Sequence, residues 1–210
     1  VPLQPGARAL EVAQDRVNEK EFIEQFGGRC APWLAVDTRE DLDEALVRIG
    51  SPGILKTRRD GYDGKGQWRI AYDHEAEGIA FSGEPLIYEG LVSFGAEFSV
   101  ILARGQDGTT VFWDSAENVH EGGILARSTV PAGPLVLGQV AEARALAGKV
   151  AEALDYVGVA AFEFFATDAG PVFNEMAPRV HNSGHWTIEG AITSQFENHI
   201  RAICGLPLGD

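Results

Sequence analysis

The stretch Val157-Gly-Val-Ala-Ala-Phe-Glu163-Phe-Phe-Ala166 decides how this chain is read. It is followed by the turn signal Asp168-Ala-Gly170, a short run ending in Asn174-Glu175, and Pro178-Arg179-Val-His181-Asn182-Ser183-Gly184-His185-Trp186. The first run is apolar at both parities, the pattern of a strand covered on both faces. Glu163 stands in its middle. An ionised carboxylate buried alone is costly, so Glu163 needs a compensating charge. If the Asp168 turn closes a hairpin, Glu163 and Glu175 approach each other on neighbouring strands. Two carboxylates and the Asn174 amide oxygen form a hard oxygen set of the kind that holds Mg²⁺ against a polyphosphate. A Glu paired with a core Arg or Lys accounts for the same pattern, because ion-pair networks also bury carboxylates.

Working outward, 210 residues suffice for one large domain or two lobes with a real core. No run approaches the length of a membrane span, and the first ten residues, with Pro2 and Pro5, lack the apolar segment of a signal peptide. The chain starts at Val1 and reads as a piece cut from a longer protein. With Cys30 and Cys204 as its only cysteines, it fits a reducing cytoplasm better than a disulfide scaffold. A net charge of −14 argues against nucleic acid and anionic membranes as partners. An acidic protein that handles phosphates must concentrate its positive charge locally.

Periodicity predicts a helix over Gln14–Phe26 with Asp15 as N-cap, and a strand at Trp33–Val36. It then predicts a helix opened by the capping box Thr38-Arg-Glu-Asp41 and a strand at Gly53–Thr57. A glycine loop, Gly61-Tyr-Asp-Gly64-Lys65-Gly66-Gln67, leads into a strand at Trp68–Tyr72, which completes a small α/β lobe. The run Pro85–Glu89 ends at Gly90, where the hinge between lobes is expected. This divides the chain into residues 1–90 and 91–210. Strands follow at Glu97–Ala103, Thr109–Trp113 and Glu117–His120, then loops at Gly122-Gly123 and from Pro131 to Pro134. A long helix is expected over Gly138–Leu154. A last helix, capped by Thr187, contains Ile188, Ile192, Phe196, Ile200 and Ile203.

The glycine loop joins strand to strand and opens no helix, so it is neither a Walker loop nor a dinucleotide fingerprint. It suits a flap whose backbone N–H groups close over phosphates, carrying Tyr62, Asp63 and Lys65, or a plain hairpin loop. Lys56, on a strand otherwise apolar at Ile54 and Leu55, either meets an anion inside or faces water at an edge. The backbone of Gly90-Leu-Val92 can read an adenine, and a carboxylate such as Glu89 or Glu97 can accept from ribose hydroxyls. Two surface glutamates are the plainer reading. Arg179 suits a carboxylate-type anion. His181, Asn182 and His185 lie too near Pro and Gly for a helical metal site and are expected to contact substrate or water. Ser183 lacks the strand–turn–helix setting of a hydrolase nucleophile.

With these pieces in order, the chain resembles the ATP-grasp family. Within it, it is most similar to the 5-(carboxyamino)imidazole ribonucleotide synthases, the ATP-dependent carboxylases of purine biosynthesis. The motifs that carry the resemblance include Gln14-Asp-Arg16 with Lys20, Leu55-Lys-Thr-Arg-Arg59, Gly61 to Gln67 and Glu117-Asn-Val-His120. Further along, Phe162-Glu163-Phe164, Asn174-Glu175 and Ala177 to Trp186 match as well. The resemblance implies an α+β ATP-grasp fold, two α/β lobes with nucleotide between them. It implies a carbon–nitrogen ligase that turns ATP, bicarbonate and aminoimidazole ribonucleotide into the carboxyamino product, ADP and phosphate. It places ATP at Arg16, Lys56, Glu89, Val92, Glu97 and His120, beneath a lid that includes Tyr62, Gly64, Lys65, Gly66 and Gln67. Glu163 and Glu175, with Asn174, would hold Mg²⁺. Arg179, His181 and Asn182, together with Lys65, would serve bicarbonate and its activation. A homodimer is an expected partner state. Family members carry a domain before this segment and another after it, so the segment matches their central core. A nucleotide-binding module without turnover, or a ligase acting on a different carboxylate, are the competing readings.

Overall fold

The computed structural model describes residues 3–59 and 66–210. It contains two antiparallel sheets. The first is four-stranded, in the order β1-β4-β2-β3, and is built from β1 (Trp33–Val36), β2 (Gly53–Thr57), β3 (Gln67–Ile70) and β4 (Leu86–Gly90). Helix α3 (Arg39–Ile49) covers it through Leu42, Ala45 and Leu46, which pack with Val36, Leu55, Ile70 and Tyr88. The start of α3 is fixed locally: the Thr38 hydroxyl accepts from Asp41 N at 3.2 Å, and the Asp41 carboxylate accepts from Thr38 N at 2.8 Å.

The second sheet has six strands. They are β5 (Ala96–Arg104), β6 (Thr110–Phe112), β7 (Ala116–Glu121), β8 (Ile124–Thr129), β9 (Gly158–Thr167) and β10 (Gly170–Ala177). The order is β10-β9-β5-β7-β8, with β6 pairing β5. Parity divides its two faces. Phe98, Val100 and Leu102 of β5 and Ala160, Phe162, Phe164 and Ala166 of β9 point into the main core. That core is closed by α5 (Val140–Ala153) and also by Ala9 of α1 (Ala7–Ala13) and by Phe22 and Ile23 of α2 (Arg16–Gln25). The first two helices therefore pack on the second sheet, and its core draws residues from both sides of the Gly90 boundary. On the opposite face Ile101, Ala103, Val159 and Ala161 form a smaller cluster with Trp113. Among the described residues this cluster covers one end of the face, so β9 is apolar at both parities there, and Glu163 lies beyond it.

Several elements differ from the sequence expectation. Helix α1 and strand β8 were not anticipated; β8 is mostly exposed and carries no burial periodicity to read. The expected loop from Pro131 ends at Pro134, where a short helix, α4 (Pro134–Leu137), begins, and α5 starts at Val140 rather than at Gly138. Thr187 does not cap the last helix. It begins a short helix, α6 (Thr187–Gly190), and Ser194 caps α7 (Gln195–Ile203) by accepting from Glu197 N at 3.2 Å. The Thr187 hydroxyl instead donates to Gly184 O at 2.6 Å and accepts from Gln195 N at 3.0 Å. In α7 the buried residues are Gln195, Asn198 and Ala202, while Phe196 and Ile200 are exposed. The two buried amides serve backbone groups of adjoining loops that have no ladder partners. Gln195 pairs with the N–H and C=O of His181, and Asn198 with those of Gly209.

Candidate functional site

The β9–β10 hairpin sets Glu163 directly opposite Glu175. A register shift between Phe173 and Glu175 produces this pairing, because an unbroken ladder would set Asn174 opposite Glu163. Asn174 lines a small cavity with Glu163, Glu97, His120, Asn118 and Phe165. The side chain of Glu163 is only 12% exposed. Burial and, next, the nearby Glu175 carboxylate push its carboxyl up to about 7. Glu175 is more open and accepts from Arg16 Nη1 at 3.2 Å. Among the described residues no group of three or more His, Cys, Asp and Glu side chains forms a ready metal cage. Two opposed carboxylates with an adjacent Asn amide supply part of an oxygen set and leave positions for ligand oxygens.

On the neighbouring strands, Glu97 of β5 and His120 of β7 meet at 2.5 Å through Oε2 and Nδ1. This hydrogen bond raises the His120 pKa against the opposing effect of burial. One oxygen of Glu97 is thus engaged by His120.

After β10 the chain turns through Arg179, His181 and Asn182. Gln195 fixes this turn by bonding both backbone groups of His181. Gly184 packs where an added Cβ would fall 2.6 Å from both Gln195 Oε1 and Ile101, so the close approach requires glycine. His181 Nδ1 accepts from Ser183 N at 3.3 Å and lies 2.8 Å from Ser183 Oγ, while Nε2 is 3.6 Å from Glu163 Oε1. Burial, then the Arg179 charge, lower the His181 pKa to about 4, so the ring is neutral at pH 7. With Nδ1 accepting, its proton sits on Nε2 and faces Glu163. The exposed Arg179 donates to Val180 O, and Asn182 is also exposed. Glu175 takes its guanidinium partner from Arg16 rather than from Arg179.

The other sheet contributes Lys56 of β2 and Glu89 of β4, both buried. Lys56 Nζ donates to Glu89 Oε2 at 3.0 Å, and Lys20 Nζ of α2 lies 3.3 Å from the same oxygen. Lys56 thus faces inward, which decides between the two sequence alternatives. Burial opposes ionisation of Glu89, but the two ammoniums prevail and hold its carboxyl below the usual range. The Glu89 carboxylate is therefore committed to lysines. Of the N–H groups in the segment Gly90-Leu-Val92, Gly90 donates to Pro32 O and Leu91 to Pro52 O, which leaves Val92 as the candidate reader of a base. Gly66 and Gln67 begin the described chain beyond the glycine loop, whereas Tyr62, Gly64 and Lys65 lie outside the described residues.

Helix α2 joins these groups. Arg16 reaches Glu175, Lys20 reaches Glu89, and Glu19 accepts from Met176 N at 2.7 Å. A cavity of about 470 Å³ opens beside it, lined by Arg16, Arg58, Arg59 and Arg179 together with Glu19 and Glu175. This is the local concentration of positive charge that an acidic chain needs in order to meet phosphates. Sequence reasoning assigned no role to Glu19, Lys20 or Gln195. Glu19 and Lys20 carry one local signal, adjacent charges between Val17 and the apolar pair Phe22-Ile23, and Lys20 also stands in the family motif with Arg16. Gln195 carried none.

The ATP-grasp domain model matches residues 21–196. The chain is 52% identical, over 212 residues, to N5-carboxyaminoimidazole ribonucleotide synthase of Brucella melitensis, covering 98% of this chain and 58% of that protein. It is similar to the crystal structure of N5-carboxyaminoimidazole ribonucleotide synthetase from Thermus thermophilus. That match has a TM-score of 0.93 and 51% identity, with 100% of this chain and 57% of that one covered. The Aspergillus clavatus N5-carboxyaminoimidazole synthase, solved in complex with ADP and 5-aminoimidazole ribonucleotide, matches with a TM-score of 0.88 and 29% identity over 98% of this chain and 55% of that one. The chain thus spans 58% of the length of the Brucella relative.

Proposed function

The chain belongs to the ATP-grasp family, and from that premise we propose that it is the nucleotide-binding and bicarbonate-activating core of a 5-(carboxyamino)imidazole ribonucleotide synthase. The observation that carries this reading is the opposition of Glu163 and Glu175 across β9 and β10, one strand end away from Arg179, His181 and Asn182. ATP would lie between the two sheets. Val92 would face its base, Glu97 its ribose and Lys56 its phosphates. Glu163 and Glu175, with Asn174, fit Mg²⁺, because the two opposed carboxylates, Glu163 largely buried and Glu175 more open, and the adjacent amide offer hard oxygens. Bound there, Mg²⁺ would neutralise charge on the transferring phosphoryl group.

A bicarbonate oxygen attacks the γ-phosphorus, the bond to the β–γ bridging oxygen breaks, and ADP leaves with carboxyphosphate formed. The amine of aminoimidazole ribonucleotide then takes the carboxyl carbon, the carbon–oxygen bond to phosphate breaks, and the amine loses a proton. Arg179 presents a planar fork to the bicarbonate, Asn182 adds a neutral donor, and the Nε2–H of His181 keeps Glu163 oriented. Catalysis by this chain is positioning and charge neutralisation. ADP formation that requires both bicarbonate and aminoimidazole ribonucleotide tests the proposal. Dependence on an amino acid in place of bicarbonate would overturn it. The competing reading is a module that binds ATP without turnover. ATP binding with no ADP formed under any substrate mixture would support that one. The same reading places the protein in the cytoplasm, as a homodimer. Among the described residues no helix is long and apolar enough to cross a membrane.

A further inference from the structure

Lys20 follows Arg16 by one turn of α2 and is 1% exposed. Its ammonium and that of Lys56 share a single acceptor, Glu89 Oε2. Among the described residues neither Lys20 Nζ nor Glu89 Oε1 has a hydrogen-bond partner. Two cations on one carboxylate leave an excess positive charge in a buried site. Such an excess is stable only if an anion shares it. The two lysines are not equivalent. The side chain of Lys56 is 10% exposed, whereas Lys20 is sealed beneath it. A phosphate oxygen that claims Lys56 must take it from Glu89, and an abandoned buried carboxylate would oppose the exchange. Among the described residues, the ionisable groups near the pair include Arg16 and Glu19 on the same helix and Cys30 beyond it. Among the described residues Arg16 is already held by Glu175, and Lys20 is the second cation on Glu89 beside Lys56.

We propose that Lys20 is a positioning residue which, by staying on Glu89 as its counter-charge, releases Lys56 to the phosphates of the nucleotide. This inference rests on the nucleotide-binding reading above. Lys20 touches no substrate; it sets how tightly Glu89 retains Lys56.

The test uses Lys20→Met, Lys20→Arg and the double variant Lys20→Met/Glu89→Gln, with two readouts. One is calorimetric affinity for ATP with Mg²⁺; the other is the NMR titration of the Lys56 ε-carbon, assigned with Lys56→Met. Lys20→Met is expected to bind about tenfold more weakly, ~1.4 kcal/mol. Lys20→Arg is expected to stay within about threefold of wild type, ~0.7 kcal/mol, and the double variant to bind more tightly than Lys20→Met, because neither strands a carboxylate. Lys56 is expected to titrate at higher pH in Lys20→Met, where Glu89 holds it alone and the repulsion from Lys20 is gone. Wild-type affinity in Lys20→Met would overturn the proposal. So would a loss that persists in a double variant melting like wild type, since a purely space-filling role would behave that way. If Lys20→Met does not fold, the double variant decides: wild-type-like binding supports the charge account, and lost binding overturns it. If the wild-type chain binds no nucleotide, the underlying reading fails. The Lys56 titration then judges the Lys20 placement alone, and an unchanged curve refutes it.

Discussion

Glu163 and Glu175 face each other as a cross-strand pair in the β9–β10 hairpin, the first buried and the second held by Arg16. Like charges in that register repel, and the arrangement is costly unless a cation or proton intervenes. Glu163→Gln is expected to leave the fold intact and to abolish the Mg²⁺-dependent part of nucleotide affinity. Calorimetric titration with a non-hydrolysable ATP analogue, with and without Mg²⁺, checks this. Because the Glu163 carboxyl titrates at about 7, protons compete with the metal, and Mg²⁺-dependent affinity should weaken as pH falls below that value. Unchanged Mg²⁺-dependent affinity in the variant would make Glu163 a structural partner of His181 only.

Glu19 is fully buried on α2, and its Oε1 accepts from Met176 N. Burial holds its carboxyl up to about 8, well above its ordinary 4.5. A raised carboxyl pKa means the folded chain binds the proton more tightly than the unfolded chain. The resulting stability is complete below about 4.5 and is lost as pH rises through about 8. Glu19→Gln keeps the acceptor and removes the titration. The variant should melt close to wild type at pH 5 and above it at pH 8.5. Parallel loss of stability with pH in both proteins would assign the proton elsewhere.

Arg179 is exposed, and among the described residues its guanidinium donates to Val180 O and faces no carboxylate within ion-pair distance. Arg179→Lys keeps the charge and loses the fork. ATP affinity should stay within a few-fold of wild type, while bicarbonate-dependent ADP formation falls roughly a hundredfold, about 3 kcal/mol for one positioned donor. Steady-state rates over a bicarbonate series measure the difference. Normal turnover in the Lys variant would remove Arg179 from the bicarbonate site.

Thr187 is completely buried and ties Gly184 O to Gln195 N. Thr187→Val fills the same volume and leaves both backbone groups without their partner. It should cost about 2 kcal/mol of stability by the usual penalty for unsatisfied buried groups. The loss should loosen the Gln195 clamp on His181, raising the bicarbonate KM more than the ATP KM. Chemical denaturation and the two KM values check it. A cost below ~0.5 kcal/mol would mean that water replaces the hydroxyl.

The sequence by itself determined the elements whose causes are local. The capping box at Thr38 and Asp41, the Asp15 cap and the turn at Asp168 act over a few residues and bring β10 back along β9, but it is the register shift between Phe173 and Glu175, which parity does not reveal, that sets Glu175 rather than Asn174 opposite Glu163. The proposed Mg²⁺ ligands Glu163 and Glu175 are suggested by the residue types and the family motifs, whereas the pattern around Lys56 leaves an inward and a water-facing position open and the structure places it inward. What only the tertiary structure decided depends on groups far apart in the chain. Arg16 meets Glu175 across 159 positions, and Glu19 meets Met176 across 157. Lys20 shares Glu89 with Lys56, an excess of charge that no local pattern displays. The last helix buries Gln195 and Asn198 and exposes Phe196 and Ile200, against its own apolar periodicity. Unpaired backbone at His181 and Gly209 needs amide partners, and desolvated N–H and C=O groups weigh more than the partial burial of two apolar side chains.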